Sequence, residues 1–566
     1  MKSMTNGWLR HSFTVAAALL VAGFAAPVWA AFEIPEGNVI TNVPAIPRSI
    51  PQKEAYELYD PKIGKNFDVK NFWMRADLRV RPEFRNGVCF GGGSPVAGAC
   101  NAAPLRSQGA AGNANAGKAA NDFYVQQWVR LGIGYDLSPD VNFYMEIIDS
   151  AAWGGTGTQN EAGANLSSLN HNCGQGNAGQ CRLGVRAAYV LVRNLGGVQG
   201  LSMKAGRQYV IFGNHSLFGH FDWANTGFSH DGVMFQYSTK SVDSYLGWFR
   251  EAEGDLSSGA PTGSVAGNVV GGGTGQTGGS ADADMFIFYN QIKSVPGFLI
   301  EPYYVLYINN QTNSPGAGQV NAGSGLGTAK HSNQIRHMLG NRIEMRKGNL
   351  DFTNETAWQF GRMGDTAAAL NAADPMASNK KNLTINAWAM RNWIGYTHYQ
   401  SAYKPRLAFN LDYASGDGNA NCTLANGQRN ACHSANTFEN FYPTNHIHMG
   451  YMDVQAWKNM LSPSANFQMR PSKDDHIEFW YTNLNLANAR DNWYRGGQGV
   501  YIFSAANNQK KHIGDEIDIT YTHMFADGKV AFQITWSELF SGGYIQQNLG
   551  TSSNQTWGYA QIWMNF

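Results

Sequence analysis

Beyond its first thirty residues the chain lacks any apolar run near the roughly 20 residues that a membrane-spanning helix needs. Charge is scarce and balanced: Lys, Arg, Asp and Glu make up 15%, and 42 basic against 41 acidic residues leave a net charge of +1. That balance argues against a nucleic-acid partner and against overall attraction to any acidic macromolecule. Only six cysteines occur, and no C-x-x-C is among them, so neither haem attachment nor a zinc site of that kind has support. No cofactor is expected. His446-Ile447-His448, with His433 nearby, has an H-x-H spacing but no third ligand at helical spacing, so capping or loop packing is its expected role. Ser537 and Glu538, with Asp515 and His512, are too generic to form a hydrolytic triad. The chain reads as a non-enzyme.

What the chain has instead is 65 glycines and 13% aromatic residues. It opens with Lys2 and Arg10, then an apolar run over 13–24 and a small-residue site at Val28-Trp29-Ala30. This is a secretory signal peptide over 1–30, cut after Ala30; Pro27 and the short run oppose a spanning helix. Residues 31–70 carry prolines at 35, 44, 47, 51 and 61 and read as an irregular periplasmic segment, too short for a folded plug.

From Phe72 the pattern changes. In Phe72–Arg85 the even positions Phe72, Met74, Ala76, Leu78, Val80 and Phe84 are apolar, broken only by Pro82. The odd positions from Arg75 are Arg75, Asp77, Arg79, Arg81, Glu83 and Arg85. A period of two makes this a strand with one apolar and one charged face. The pattern recurs to Phe566, and eighteen candidate strands can be placed over 71–566, with sixteen as the alternative count. Connections after odd-numbered strands are long (86–121, 150–182, 416–464), whereas those after even-numbered strands are short turns such as Ser138-Pro139-Asp140 and Lys347-Gly348-Asn349. Sorting of loops by length is the mark of an antiparallel transmembrane β-barrel in the outer membrane of a Gram-negative-type bacterium, with long loops outside and short turns in the periplasm. The cysteines fall into close pairs within long loops, Cys89 and Cys100, Cys173 and Cys181, Cys422 and Cys432, which read as local disulfides of an exported protein. The terminal Phe566, with Met564 and Ile562 at two-residue spacing, forms a lipid-facing row and resembles the signal read by the barrel-assembly machinery.

A charge on the lipid face costs about 2–4 kcal/mol near the midplane, so the charged faces must point into the lumen. The pore-lining candidates are Arg75, Asp77, Arg79, Arg81, Glu83, Arg85, Arg130, Arg336, Arg342, Glu344, Arg346, Glu355, Arg406, Glu516 and Asp518. They either select solutes or brace the wall, and the same residue can do both. The arginine density of the first strand leans toward anionic solutes, because the guanidinium fork suits carboxylates.

Three further blocks stand out: Gly206-Arg207-Gln208 through Asp231-Gly232; Tyr413-Ala414-Ser415-Gly416-Asp417 with Phe441-Tyr442-Pro443-Thr444-Asn445-His446 and Gly450-Tyr451-Met452-Asp453; and Gly514-Asp515-Glu516-Ile517-Asp518 with Phe540-Ser541-Gly542-Gly543-Tyr544. Together they resemble the alginate-export family of outer-membrane channels, from about the first strand to the C-terminus. The resemblance implies a monomeric eighteen-stranded barrel whose charged solute path is partly closed by loops. The expected function is passive passage of hydrophilic solutes, small or oligomeric, with outer-membrane lipid around the barrel. Two rivals are a barrel sheathing a periplasmic partner protein such as an electron-carrying cytochrome, and an outer-membrane hydrolase with its site on the loops.

Overall fold

The computed structural model describes residues 71–88, 120–152, 183–223, 227–252, 283–309, 334–364, 382–418, 434–496, 500–502, 504, 507–550 and 552–565. The signal peptide, the segment 31–70, all six cysteines, His433 and Phe566 lie outside these residues.

Alternation of apolar and polar residues lets each strand bury one face and show the other to lipid, and eighteen such strands form the wall among the described residues. In chain order they are β1 (Phe72–Val88), β2 (Ala120–Ser138), β3 (Val141–Ala152), β4 (Leu183–Val192), β5 (Leu201–Gln208), β6 (His230–Ser238), β7 (Val242–Ala252), β8 (Ala283–Ile292) and β9 (Phe298–Asn309). The second half is β10 (Gln334–Lys347), β11 (Leu350–Gly364), β12 (Asn382–Thr397), β13 (Arg406–Ala414), β14 (Met460–Met469), β15 (Asp475–Leu486), β16 (His512–Phe525), β17 (Val530–Ser541) and β18 (Gln555–Asn565). Each wall strand pairs antiparallel with its sequence neighbours, and β1 pairs with β18 from Asp77 opposite Asn565 to Asn86 opposite Thr556. The sheet is therefore closed and has no free edge, the condition for placing strands in lipid.

Three wall prolines show how the ladder tolerates a missing N–H. Pro82 lies where the β1–β18 register skips from Val80 to Glu83. Pro302 lies where β8–β9 skips from Ile300 to Tyr303, and Pro463 where β14–β15 skips from Leu461 to Ser464. Each proline stands at a gap on one side and keeps its place on the other, so no bond is lost to its ring. The next strand, β14, begins at Met460, inside the expected 416–464 connection, and Pro463 is an ordinary outward strand residue.

The outer face is an apolar belt. Phe84, Phe123, Trp358, Trp388, Phe409, Phe479, Ile519 and Ile562 are all exposed on it. No helix among the described residues is long and apolar enough to cross a membrane. The inward residues, by contrast, are buried and mostly polar, with Arg79, Arg81, Arg336 and Arg406 each 1% exposed or less. A lumen wall that dry must be covered from inside.

Candidate functional site: a lumen filled by two loops

Two of the long connections supply much of the cover, with buried residues of the connections after β15 and β17, such as Trp493 and Tyr544, adding to it. Residues 209–223, after β5, and 434–459, between β13 and β14, are buried and pack against each other. The Gly219 N–H donates to the Tyr442 carbonyl at 2.8 Å, Tyr442 N–H donates to Leu217 at 3.0 Å, and Thr444 N–H donates to His215 at 2.9 Å. Gly219 is required at this crossing, since a Cβ there would collide with the Thr444 hydroxyl. Around the crossing lies an aromatic core. Phe218 stacks with Phe441 at 5.7 Å between centroids, Phe212 stacks on the wall residue Tyr289 at 4.2 Å, and Phe438 packs on Trp457. Apolar burial of this kind drives loop docking without needing any ligand.

The charged anchors sit where the first loop meets β1, β2 and β4. Asp222 receives Arg130 Nη1 at 2.7 Å and Arg186 Nη2 at 3.0 Å, with His220 at 3.7 Å. Burial pushes its carboxyl toward protonation, but Arg130, His220 and Arg186 outweigh that and hold it well below the usual carboxylate range. Arg79 Nη1 donates to the Asp222 carbonyl at 2.6 Å, and Arg81 Nη1 to the Trp223 carbonyl at 2.8 Å. Arg81 also lies 3.5 Å over the Trp223 ring, and His446 stacks on that ring at 3.6 Å, nearly parallel to it. His446 Nδ1 in turn meets Asp453 at 2.9 Å. Burial lowers the His446 pKa below the ordinary 6.5, against the pull of Asp453. His448 Nε2 meets the Asn214 carbonyl at 2.7 Å, so both histidines of the H-x-H pair pack loops. No cluster that could hold a metal ion is present among the described residues.

The second loop has its own anchors. Lys458 and Glu439 form a fully enclosed ion pair at 2.7 Å within the loop. The tip at Gly450-Tyr451-Met452 lies on β16, where Met452 N–H donates to Glu516 at 2.9 Å and Tyr451 N–H to Asp518 at 3.4 Å. Gly450 has φ +88° and its missing Cβ leaves room for the Glu516 carboxylate.

All fifteen expected pore-lining residues lie on the inward face, but the structure divides them into groups. Arg75 meets Asp77 at 2.6 Å, and Asp77 meets Arg130 at 3.4 Å. Arg81 meets Glu83 at 2.6 Å, Glu83 accepts from the Trp557 indole at 3.1 Å, and Arg85 covers the Trp557 ring at 5.0 Å. Arg342, bridged to Glu301, also meets Glu344 at 2.6 Å, and Glu344 meets Arg346 at 2.8 Å, near the short turn at 348–349. Arg336 donates to Gln359 at 2.7 Å, Tyr303 donates to Glu355 at 3.2 Å, and Arg406 meets Asp351 at 2.8 Å. Arg79 and Arg81 are thus not a bare ladder: both are covered by the first loop. The sequence reading missed Arg391, paired with Asp412 at 2.7 Å, and the Lys458–Glu439 pair. It also missed the role of Asp222 and Trp223 as the loop's point of attachment. Their signal was present in the dense Gly/Trp/charge segment, but no periodicity says that a loop turns inward.

A closed antiparallel barrel with an apolar belt, a charged interior and loops folded into its lumen is a transmembrane channel of the outer membrane. The chain belongs to the alginate export family, whose model matches residues 116–559. No curated protein matches its sequence. Solved structures similar to it include Pseudomonas aeruginosa OccK9 (OpdG), with 8% identity, 88% of this chain and 99% of that one covered, and a TM-score of 0.48. Acinetobacter baumannii OccAB1 has 10% identity, coverage of 87% and 97%, and a TM-score of 0.46. Pseudomonas aeruginosa OpdQ has 11% identity, coverage of 88% and 98%, and a TM-score of 0.45.

Proposed function

We propose that this channel passes hydrophilic, anionic solutes passively, gated by its own loops. The observation that carries the reading is the convergence of Arg79, Arg81, Arg130 and Arg186 on oxygens of Asp222 and Trp223. Three inward strands aim guanidinium groups at one carboxylate and two carbonyls supplied by the gate. A solute carboxylate competes for those same donors when the loop yields, because bidentate guanidinium recognition does not distinguish the source of the oxygen. The arginines then concentrate anions along the solute path. Replacing Arg79 and Arg81 by Ala tests this in a planar bilayer under a salt gradient. The reversal potential should move toward cation preference while the barrel still folds, since neither side chain faces lipid. An unchanged reversal potential would reduce these arginines to loop braces.

A further inference from the structure

Near the extracellular ends of β5–β8 the outward arginines are matched by acids. Arg207 meets Asp231 at 2.6 Å, and Arg250 meets Asp284 at 2.9 Å. Where β15 leaves the wall and β16 enters it, three cations have no such match. Arg490, Lys510 and Lys511 are exposed, and none has an acidic partner among the described residues. The segments that carry them are tied together. Leu486 N–H donates to the Lys511 carbonyl at 2.9 Å, and Lys511 Nζ donates to the Ala487 carbonyl at 2.8 Å. Asn508 Nδ2 donates to the carbonyls of Ala489 at 2.6 Å and Lys510 at 3.0 Å, which sets residue 490 beside 510–511. Ala489, Asp491 and Asn508 are buried in the same segments, so the three cations occupy the solvent side. Asp491 is taken up inside, accepting from Thr437 Oγ1 at 2.6 Å and Tyr494 Oη at 2.8 Å.

Their height follows from the β15–β16 ladder. Outward Phe479 lies opposite Ile519 in the apolar belt, Tyr481 opposite Ile517 above it, and Asn483 opposite Asp515 above that. Tyr481 and Asn483 donate to Asp515 at 2.8 and 2.7 Å, and His512 meets it at 3.2 Å. This polar group marks the rim of the hydrocarbon and engages the acid that lies below the lysines. Lys511 stands four residues beyond Asp515, about 10 Å higher on a tilted strand. The headgroup layer begins at that rim and is about 5–7 Å thick, so lysine and arginine stems reach it from above. Glu538, also outward, lies lower, opposite Ile517.

We propose that Arg490, Lys510 and Lys511 hold the phosphates of lipid A, the phosphorylated glycolipid of the outer leaflet. Its acyl chains would lie against Phe540, Trp536 and Ile519, which are exposed below the cations. The outer membrane supplies this partner at the height where the three cations stand, and charge complementarity favours its phosphates over neutral headgroups. Arg490 offers a guanidinium fork and the lysines offer point charges, the two forms in which proteins bind phosphate. Neither the solute path nor its arginines take part.

The test is native mass spectrometry of the full chain in detergent, offered bis-phosphorylated lipid A, the same lipid stripped of its phosphates, or phosphatidylglycerol. The lipid A adduct should form at a concentration at least tenfold lower than either of the other two. The Arg490→Ser/Lys510→Ser/Lys511→Ser variant should lose that preference. Lys347→Ser/Lys473→Ser/Lys529→Ser, which removes three exposed lysines at the periplasmic end, should keep it. Heat-modifiable mobility on gels, the sign of a closed barrel, checks that both variants fold, and the three-lipid comparison on the wild type decides the matter without them. No lipid A adduct, equal binding of phosphate-free lipid, equal binding of phosphatidylglycerol, or an undiminished preference in the folded Arg490/Lys510/Lys511 variant each overturns the proposal. So does an equal loss in the periplasmic variant.

Discussion

Replacing Asp222 by Asn should unseat the first loop. The substitution keeps the shape of the side chain and removes the charge that Arg130 and Arg186 hold at 2.7 and 3.0 Å. Removing one member of a buried ion pair typically costs about 3–5 kcal/mol, because the remaining charge is stranded. Arg130 keeps Asp77 at 3.4 Å and Glu146 at 3.9 Å, so the lower end of that range applies. A loss of about 3 kcal/mol shifts the docking equilibrium of the loop by about 150-fold. The barrel itself should be spared, since its ladder is closed by β1–β18 pairing independently of the loop. Single-channel recording should show larger conductance and frequent transitions, and the reversal potential should move toward anions now that two guanidinium groups lack their carboxylate. Conductance and reversal potential equal to the wild type would show that the loop is held by its aromatic core alone, and the charge-anchored gate would have to be abandoned.

Lys458→Met should strand Glu439 in the second loop at a local cost of about 3–5 kcal/mol. Hydrogen exchange over 434–459 should speed up by at least a hundredfold, with strand protection unchanged; equal protection in the loop would contradict the assignment. Acidification should loosen the contact between the two loops at Trp223 and His446. His446 has its pKa lowered by burial, so its contribution is complete above the free value of 6.5 and is lost as pH falls below it. The proton would arrive on a ring stacked against Trp223 and facing Arg81, with Asp453 and Glu83 opposing that repulsion. Open probability should therefore rise between about pH 7 and pH 5, and His446→Phe should flatten the profile. Mass spectrometry of the mature chain should find Ala31 at its start, and peptide mapping should pair Cys89 with Cys100, Cys173 with Cys181 and Cys422 with Cys432. Free thiols or cross-loop pairing would refute the loop assignment of these cysteines.

Much of the wall was legible from residue alternation. Runs such as Leu407, Phe409 and Leu411 against Arg406, Ala408 and Asn410 have one solution when one face meets lipid, and β13 adopts it. The long/short sorting of connections fixed which ends lie in the periplasm. The start of β14 lies inside the expected 416–464 connection, because propensity cannot tell a gap in the ladder at a proline from the end of a strand.

The sequence by itself determined most of the strands, their inward and outward faces and the family, because each rests on a period of two or on a contiguous stretch of chain. Only the tertiary structure decided what fills the lumen. Arg79 lies 143 residues from Asp222, and Gln359 lies 80 residues from the Glu439 carbonyl it donates to. Such contacts join a strand to a loop that has no periodicity, so no local rule places them. Whether an inward arginine faces water or its own chain depends on where the loops come to rest. That is set by an aromatic core assembled from both loops and the wall, a property of no single segment.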